Sequence, residues 1–264
     1  MLEAGTPPHA GSVAFEMTNG TPPTRVLRAL IVDDYPVNRR LMEMLLADLG
    51  HQTVVAHSGM EALKTLKESS FDFAFLDLQM PDMDGYETAR AIHEAFGNSA
   101  PVLVACSASS IERKECDASG FAFVLPKPVT LESLAAVLGG KPPQPEVEHH
   151  HDLCWEMPEG LAMLVQLAGK EKVSALLELF VKESERRIDI LLKMLNERNM
   201  EVFTRTAHSL KGSAAQMGAV KLSEISAELE QESARGERIR LTKLVGLAKE
   251  FEKVQTAITS YLAA

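Results

Sequence analysis

Hydrophobic and polar positions divide the chain into two regions with different periodicities. In the first region, short apolar runs alternate five times with amphipathic stretches. Nearly continuous apolar runs are typical of strands buried on both faces, which favours a parallel sheet covered by helices. The predicted strands are Ala29–Val32, Thr53–Ala56, Phe71–Leu78, Val102–Cys106 and Phe121–Leu125. We therefore predict a doubly wound α/β domain with five parallel strands over residues 28–138.

A second pattern follows a Pro-rich polar segment at residues 139–157, which has no periodicity and is predicted to be a linker. From residue 158 to 264 the apolar residues recur at helical spacing, and no segment resembles a strand. We predict an antiparallel helical bundle for this region. Its helices are separated by short breaks at Gly169, Asn199, Gly218 and Gly236.

The formal net charge of −10 is concentrated in the first region, because residues 1–138 hold 10 Lys+Arg against 18 Asp+Glu. An acidic surface repels phosphate backbones, and no helix-turn-helix candidate is left over, so we expect no nucleic-acid binding. The three cysteines have neither the even count nor the density of a disulfide framework, which favours a reducing compartment. No apolar run approaches the roughly 20 residues that span a bilayer. We expect a cytoplasmic chain that does not itself contact a membrane.

Charged or hydroxyl residues stand at the ends of the predicted strands. In a doubly wound sheet the C-terminal strand ends converge on one crevice. Crowded carboxylates repel one another unless a cation neutralises them, and an all-oxygen site suits Mg²⁺. A carboxylate can also act as a nucleophile towards phosphorus. The residues are Asp33, Asp34, Asp77, Ser107 and Lys127. Any single Asp here is better explained as a helix cap, but the whole set at five successive strand ends favours a phosphoryl-transfer site.

Four motifs make residues 28–138 resemble a response-regulator receiver domain, which has a flavodoxin-like fold. They are Ile31-Val32-Asp33-Asp34, the segment 76–85 (LDLQMPDMDG), Ser107-Ala108 and Lys127-Pro128. One position departs from the pattern, since Val124 stands where receivers with an aromatic switch on strand five place Tyr or Phe. An output switch coupled to that aromatic residue is therefore not expected.

The receiver resemblance implies a role for each residue of the carboxylate set. Asp77 is the implied phosphoacceptor. Mg²⁺ is bound by Asp34, by Asp77 and by the backbone carbonyl of Gln79, and Asp33 reaches the ion through water. Lys127 holds a phosphoryl oxygen, and Ser107 moves towards the phosphoryl group when it is present.

His208 is the candidate reactive residue of the second region. The residues Phe203, Ala207, Leu210, Ala214 and Met217 fall within roughly 40° of one line on a helix, which predicts a core-facing stripe. His208 points about 140° away from that line, so we expect it to face solvent. Lys211 and Gly212 lie beside it, and Gly212 leaves room for a partner to approach.

Residues 207–219, with the motif His208-Ser209-Leu210-Lys211-Gly212-Ser213-Ala214, resemble the active helix of a histidine-containing phosphotransfer (HPt) domain. The resemblance covers residues 158–264 and implies an all-α four-helix bundle with a short leading helix. It also implies that His208 carries a phosphoryl group, that Lys211 stabilises it and that Gly212 provides access.

A receiver followed by an HPt domain is the order found at the C-terminal end of hybrid sensor histidine kinases of multi-step phosphorelays. The 27 leading residues are too few for an ATP-binding kinase core, although residues 11–17 are similar to the last strand of such a core. A leader without structure explains them equally well. The resemblance implies an upstream histidine kinase core and a downstream response-regulator receiver as partners.

Three functions fit these residues. In the first, phosphoryl passes from a kinase histidine to Asp77, then to His208 and on to a downstream receiver. In the second, the chain is a binding module that phosphorylation controls. In the third, the chain is a phosphate sink. In the second and third functions, Asp77 and His208 exchange no phosphoryl group within the chain.

Overall fold

The computed structural model describes residues 25–107, 113–143 and 154–264. The predicted leader up to residue 24, with its kinase-like segment 11–17, lies outside the described residues, as does most of the predicted linker. The predicted domain boundaries therefore stay predictions.

The first region is a doubly wound α/β domain, as predicted. Its five strands are all parallel and are arranged in the order β2-β1-β3-β4-β5. The strands are β1 (Arg28–Val32), β2 (Gln52–Ala56), β3 (Phe73–Asp77), β4 (Val102–Ser107) and β5 (Phe123–Pro126). The helices are α1 (Pro36–Asp48), α2 (Gly59–Glu68), α3 (Gly85–Phe96), α4 (Arg113–Ala118) and α5 (Leu131–Leu138), with a short 3-10 helix at Gly97–Ser99.

Apolar side chains on both faces of the sheet form two separate cores, which explains the continuous apolar strands. Leu30, Leu76 and Leu103 lie on the face covered by α2 and α3. Phe75 and Val104 lie on the opposite face with α1 and α5. Because alternate residues of each strand point to opposite faces, a single apolar run supplies both cores.

The loop after β3 folds back tightly on the strand end, which fixes the position of Asp77. The backbone N–H of Gly85 donates to the carbonyl of Leu78 over 3.0 Å. A Cβ at Gly85 would collide with the backbone of Asp77 and Leu78, so glycine is required there. Asp84 then caps α3 through a capping box with Glu87.

The described residues of the second region form helices and no strands. It contains α6 (Glu159–Ala168), α7 (Lys170–Glu197), α8 (Met200–Gln216), α9 (Val220–Ala234) and α10 (Leu241–Ala263). The four long helices α7 to α10 follow the short leading helix α6, as the resemblance implied. The predicted breaks are confirmed, since Asn199 caps α8 and the three glycines take positive φ angles between the helices.

Trp155 fastens the chain ahead of α6 to the bundle. Its indole N–H donates to the carbonyl of Met217 at the end of α8 over 2.7 Å, and its ring lies 5.8 Å from that of Tyr261. Gly218 allows the close approach, because a Cβ there would collide with the backbone of Glu156. The stretch just before α6 is therefore held against the C-terminal ends of α8 and α10.

The two domains are in contact through α1, which packs against α6 and α7. The core on the α1 side of the sheet is continuous with the core of the helical domain. The buried residues of α1 cover about half of the helix circumference. A helix that packs against a single neighbouring layer needs a buried stripe of only about 100°. The buried residues are Val37, Asn38, Leu41, Met42, Met44, Leu45 and Leu46. One helix thus serves the sheet on one side and the helical domain on the other.

Candidate functional site

Three carboxylates meet at the C-terminal edge of the sheet, as the sequence predicted. Ligand-capable atoms of Asp33, Asp34 and Asp77 all lie within 4.8 Å of one another. The parallel pairing of β1 with β3 brings the two strand ends together. An all-oxygen group of this size fits a hard divalent cation.

Lys127 lies between two of these carboxylates. Its Nζ is 3.1 Å from Asp33 Oδ2 and 3.2 Å from Asp77 Oδ1, and its side chain is only 7% exposed. Burial disfavours the charged amine, but the two carboxylates outweigh burial and raise the pKa of Lys127. Burial also raises the pKa of Asp77 to about 7, although Lys127 acts in the opposite direction. The site therefore needs positive charge to keep Asp77 ionised.

Asp33 and Asp34 differ in how their oxygens are used. Asp33 accepts hydrogen bonds from the backbone N–H of Tyr35 over 2.7 Å and from the amide of Asn38 over 3.0 Å, besides its contact with Lys127. By contrast, Asp34 Oδ1 is buried without a hydrogen-bond partner among the described residues. An unsatisfied buried carboxylate oxygen is costly unless a cation pairs with it. The residues present thus fit a metal ion, with Asp34 more available than Asp33.

The remaining predicted residues lie around this cluster. Ser107 is buried at the end of β4, and its carbonyl accepts the backbone N–H of Lys127 over 2.7 Å, which joins the ends of β4 and β5. Gln79 is exposed in the loop that follows β3.

Asn38, which binds Asp33, was not predicted from the sequence. No motif marks it, and its role follows only from the way α1 starts beside Asp33.

In the helical domain, His208 and Lys211 share one partner on the neighbouring helix. The Nδ1 atom of His208 lies 2.7 Å from Glu230 Oε1, and Lys211 Nζ donates to Glu230 Oε2 over 2.7 Å. Glu230 belongs to α9, 22 residues after the histidine. It was missed because helical spacing within α8 carries no information about which residue of α9 faces it.

The expectation that His208 faces solvent was wrong. The residue is only 6% exposed, and Gly212 is buried as well. The core-facing stripe itself is confirmed, since Phe203, Ala207 and Leu210 are fully buried. A projection of one helix places a side chain relative to its own core, but it ignores what packs on the other side. Here α9 brings Glu230 over the imidazole and the α/β domain lies alongside.

The charges of His208 and Glu230 determine which ring nitrogen of the histidine carries the proton and which is free. Burial lowers the pKa of His208, although its hydrogen bond with Glu230 opposes the shift. The pKa of Glu230 is also lowered, because the contacts with His208 and Lys211 outweigh burial. An ionised carboxylate can only accept, so Nδ1 of a neutral His208 carries the proton. Nε2 then holds the free lone pair.

Gln216, at the end of the helix that carries His208, binds the α/β domain directly. Its side-chain amide donates to the carbonyl of Val129 over 2.8 Å, and its carbonyl accepts the Val129 N–H over 2.6 Å. Val129 lies two residues after Lys127, and Gln216 lines the same crevice as Asp77 and Lys127. The charge of Lys127 is also near enough to contribute to lowering the pKa of His208. The histidine helix and the carboxylate site therefore face each other.

Comparison with known families matches both regions. The model of the response regulator receiver domain matches residues 29–139, and the Hpt domain model matches residues 175–259. The chain contains a receiver domain followed by an Hpt domain. Both matches agree with the fold and with the motifs around Asp77 and His208.

Relatives that match this chain include sensor kinases that are much longer than it. The sensor histidine kinase RcsC of Salmonella typhi is 40% identical over 110 residues, which is 41% of this chain and 12% of RcsC. The virulence sensor protein BvgS of Bordetella parapertussis is 28% identical over 277 aligned positions, 98% of this chain and 22% of BvgS. The chain thus spans less than a quarter of the length of either relative.

Among solved structures, the chemotaxis response regulator CheY4 of Vibrio cholerae is 28% identical. The match covers 43% of this chain and 97% of CheY4, with a TM-score of 0.41. None of the helices in the described parts of the chain has the length and apolar character that a membrane span requires.

Proposed function

We propose that this chain relays phosphoryl groups between Asp77 of its receiver and His208 of its Hpt domain. The two domain types and the sensor-kinase relatives support multi-step phosphorelay signalling. The observation that carries the internal step is the position of α8. This helix bears His208 and, through Gln216, also binds the receiver beside Lys127.

The receiver residues position and neutralise the phosphoryl group. In this proposal Asp34, Asp77 and the backbone carbonyl of Gln79 would hold Mg²⁺, with Asp33 as a further carboxylate beside the ion. When bound, the ion neutralises charge on the phosphoryl oxygens and on the carboxylates. Lys127 adds a second positive charge on the same side, and we propose that Ser107 donates a hydrogen bond to a phosphoryl oxygen.

The transfer step exchanges one bond to phosphorus for another. The Nε2 lone pair of His208 attacks the phosphorus of the aspartyl phosphate, the P–N bond forms and the bond from phosphorus to the Asp77 oxygen breaks. Asp77 leaves as a carboxylate, which Lys127 stabilises. The imidazole ring becomes positively charged during the attack, and Glu230 stabilises that charge through Nδ1–H.

Lys211 and Gly212 assist from the same helix. Lys211 is held by Glu230 at 2.7 Å, so its ammonium group stays close to the imidazole and can pair with phosphoryl oxygens. Gly212 lies one turn after His208 and has no side chain, which permits a close approach of the receiver.

The partners in this proposal are a histidine kinase core that phosphorylates Asp77 and a downstream receiver that accepts phosphoryl from His208. Whether the chain acts alone or within a membrane-anchored hybrid kinase, we propose that both domains operate in the cytoplasm. Transfer can run in both directions, because aspartyl and histidyl phosphates exchange through the same steps.

The test is phosphoryl loading with a small-molecule donor and Mg²⁺. Aspartyl phosphate is labile to alkali and histidyl phosphate is labile to acid, so the two labels are separable. We expect the wild-type chain to gain alkali-stable phosphohistidine, and Asp77→Ala and His208→Gln to abolish it. His208→Gln should still load Asp77.

Two outcomes contradict the internal relay. If His208 is labelled equally well in Asp77→Ala, the histidine takes phosphoryl directly from outside. If Asp77 is labelled but phosphohistidine never appears in the wild type, the chain is a binding module or a phosphate sink.

A further inference from the structure

Besides the apolar packing of α1 against α6 and α7, the two domains make polar contacts of two kinds, which differ in what they can recognise. Gln216 binds only the backbone N–H and C=O of Val129. Every residue except proline offers the same two groups, so this contact gives affinity but little discrimination among receivers. Discrimination requires a contact with a side chain.

Arg187 of the Hpt domain makes such a contact with Tyr35 of the receiver. The guanidinium carbon lies 4.0 Å from the centre of the tyrosine ring, well within cation–π range. Tyr35 is fully buried, and the Nε of Arg187 is buried without a hydrogen-bond partner among the described residues. The ring therefore supplies stabilisation that water no longer gives to the arginine.

The position of Tyr35 ties this contact to the carboxylate site. Tyr35 directly follows the acidic pair, and its backbone N–H is bound to Asp33 over 2.7 Å. Arg187 is close enough to Asp34 to counteract the rise that burial causes in the pKa of that carboxyl. The arginine thus lies where the aromatic ring and the acidic site meet.

We propose that the pair Arg187–Tyr35 makes the Hpt domain selective for receivers that carry an aromatic residue directly after the acidic pair, this chain's own receiver among them. The inference rests on the proposed function, because it concerns the docking that precedes transfer. A receiver with an aliphatic residue at this position removes the ring that the half-buried Arg187 contacts, so it loses the cation–π stabilisation and docks more weakly. The same preference applies to a downstream receiver that uses this face of the Hpt domain.

The test measures docking in the full chain without any phosphoryl donor. The hydrogen exchange of the Val129 amide reports docking, since this N–H is bonded to Gln216 across the interface. We expect Arg187→Met and Tyr35→Leu each to speed exchange by about 10- to 30-fold, as expected for a desolvated cation–π pair. Tyr35→Phe, which keeps the ring, should stay within about twofold of the wild type.

Arg186→Met is the matched control. Arg186 is the preceding residue of the same helix, its side chain is 70% exposed, and it pairs with Glu183. It should leave Val129 exchange unchanged. The double variant Arg187→Met with Tyr35→Leu should exchange no faster than either single variant, since both remove one interaction.

The proposal would be overturned if the double variant sped Val129 exchange by the product of the two single-variant factors. It would also be overturned if Arg186→Met sped exchange as much as Arg187→Met. A loss of protection in Tyr35→Phe as large as in Tyr35→Leu would also overturn it, because the ring would then not be the recognised feature. Since exchange requires no phosphoryl transfer, these outcomes are independent of whether Asp77 and His208 exchange phosphoryl.

Discussion

The two reactive sites of this chain are built in opposite ways. The receiver site draws on the ends of β1, β3, β4 and β5, and the parallel sheet brings residues up to 94 positions apart into contact. The histidine site needs only α8 and one carboxylate from α9. The arrangement of the receiver site follows from the topology of the sheet. The arrangement of the histidine site depends on how α8 and α9 are rotated about their axes.

The charges of the two sites also differ. The receiver site has three carboxylates and relies on Lys127 for neutralisation, which leaves room for a cation. The histidine site is already balanced, because Glu230 contacts both His208 and Lys211. The receiver site is thus suited to a phosphoryl acceptor that needs external positive charge. The histidine site is suited to a nucleophile that needs a free lone pair.

Removal of Lys127 should have the largest effect on stability. In Lys127→Met the buried carboxylates lose their internal cation, and we expect the free energy of unfolding without metal to fall by about 3–5 kcal/mol. Chemical denaturation with and without Mg²⁺ measures it, and Mg²⁺ should restore a large part. Lys141→Met is the control at an exposed position. Equal losses in the two variants would show that Lys127 does not neutralise this cluster.

Glu230→Gln should separate the two sites kinetically. The loss of a charge-assisted hydrogen bond of about 1.5–3 kcal/mol should slow transfer to His208 by about 10- to 100-fold. Loading of Asp77 by a small-molecule donor should not change. Glu228→Gln is the matched control, since this residue of the same helix pairs with Lys243 at the surface. Unchanged transfer in Glu230→Gln would contradict the assigned role.

The smallest effect concerns the protonation of His208. Its pKa should lie below the usual 6.5 in an NMR titration, because burial disfavours the charged ring. Protonation therefore opposes folding, so this contribution to stability is complete above pH 6.5 and declines as the pH falls below that value. Glu230→Gln should lower the pKa further. A pKa at or above 6.5 in the wild-type chain would contradict the buried, neutral imidazole.

The sequence predicted the clustering of side chains at the receiver's strand ends, and there is a physical reason for this. The C-terminal strand ends of a doubly wound sheet converge on one crevice. Once the strands are identified in the sequence, the residues at their ends, Asp33, Asp34, Asp77 and Lys127, can therefore be placed together. The converse holds for His208. Its helix and core-facing stripe were predictable, but its burial, its bond to Glu230 and the docking of α1 depend on contacts between elements that no periodicity encodes.

The central claim is that phosphoryl passes between the domains of one chain, and the most direct test is the concentration dependence of that step. Chains loaded on Asp77 are followed as phosphohistidine appears, over protein concentrations well below the millimolar effective concentration that a tether provides. We predict a rate constant that does not change with chain concentration, and little transfer when His208→Gln chains are mixed with Asp77→Ala chains at the same concentrations. A rate proportional to concentration, matched by the mixed variants, would contradict the account and show that transfer occurs between chains.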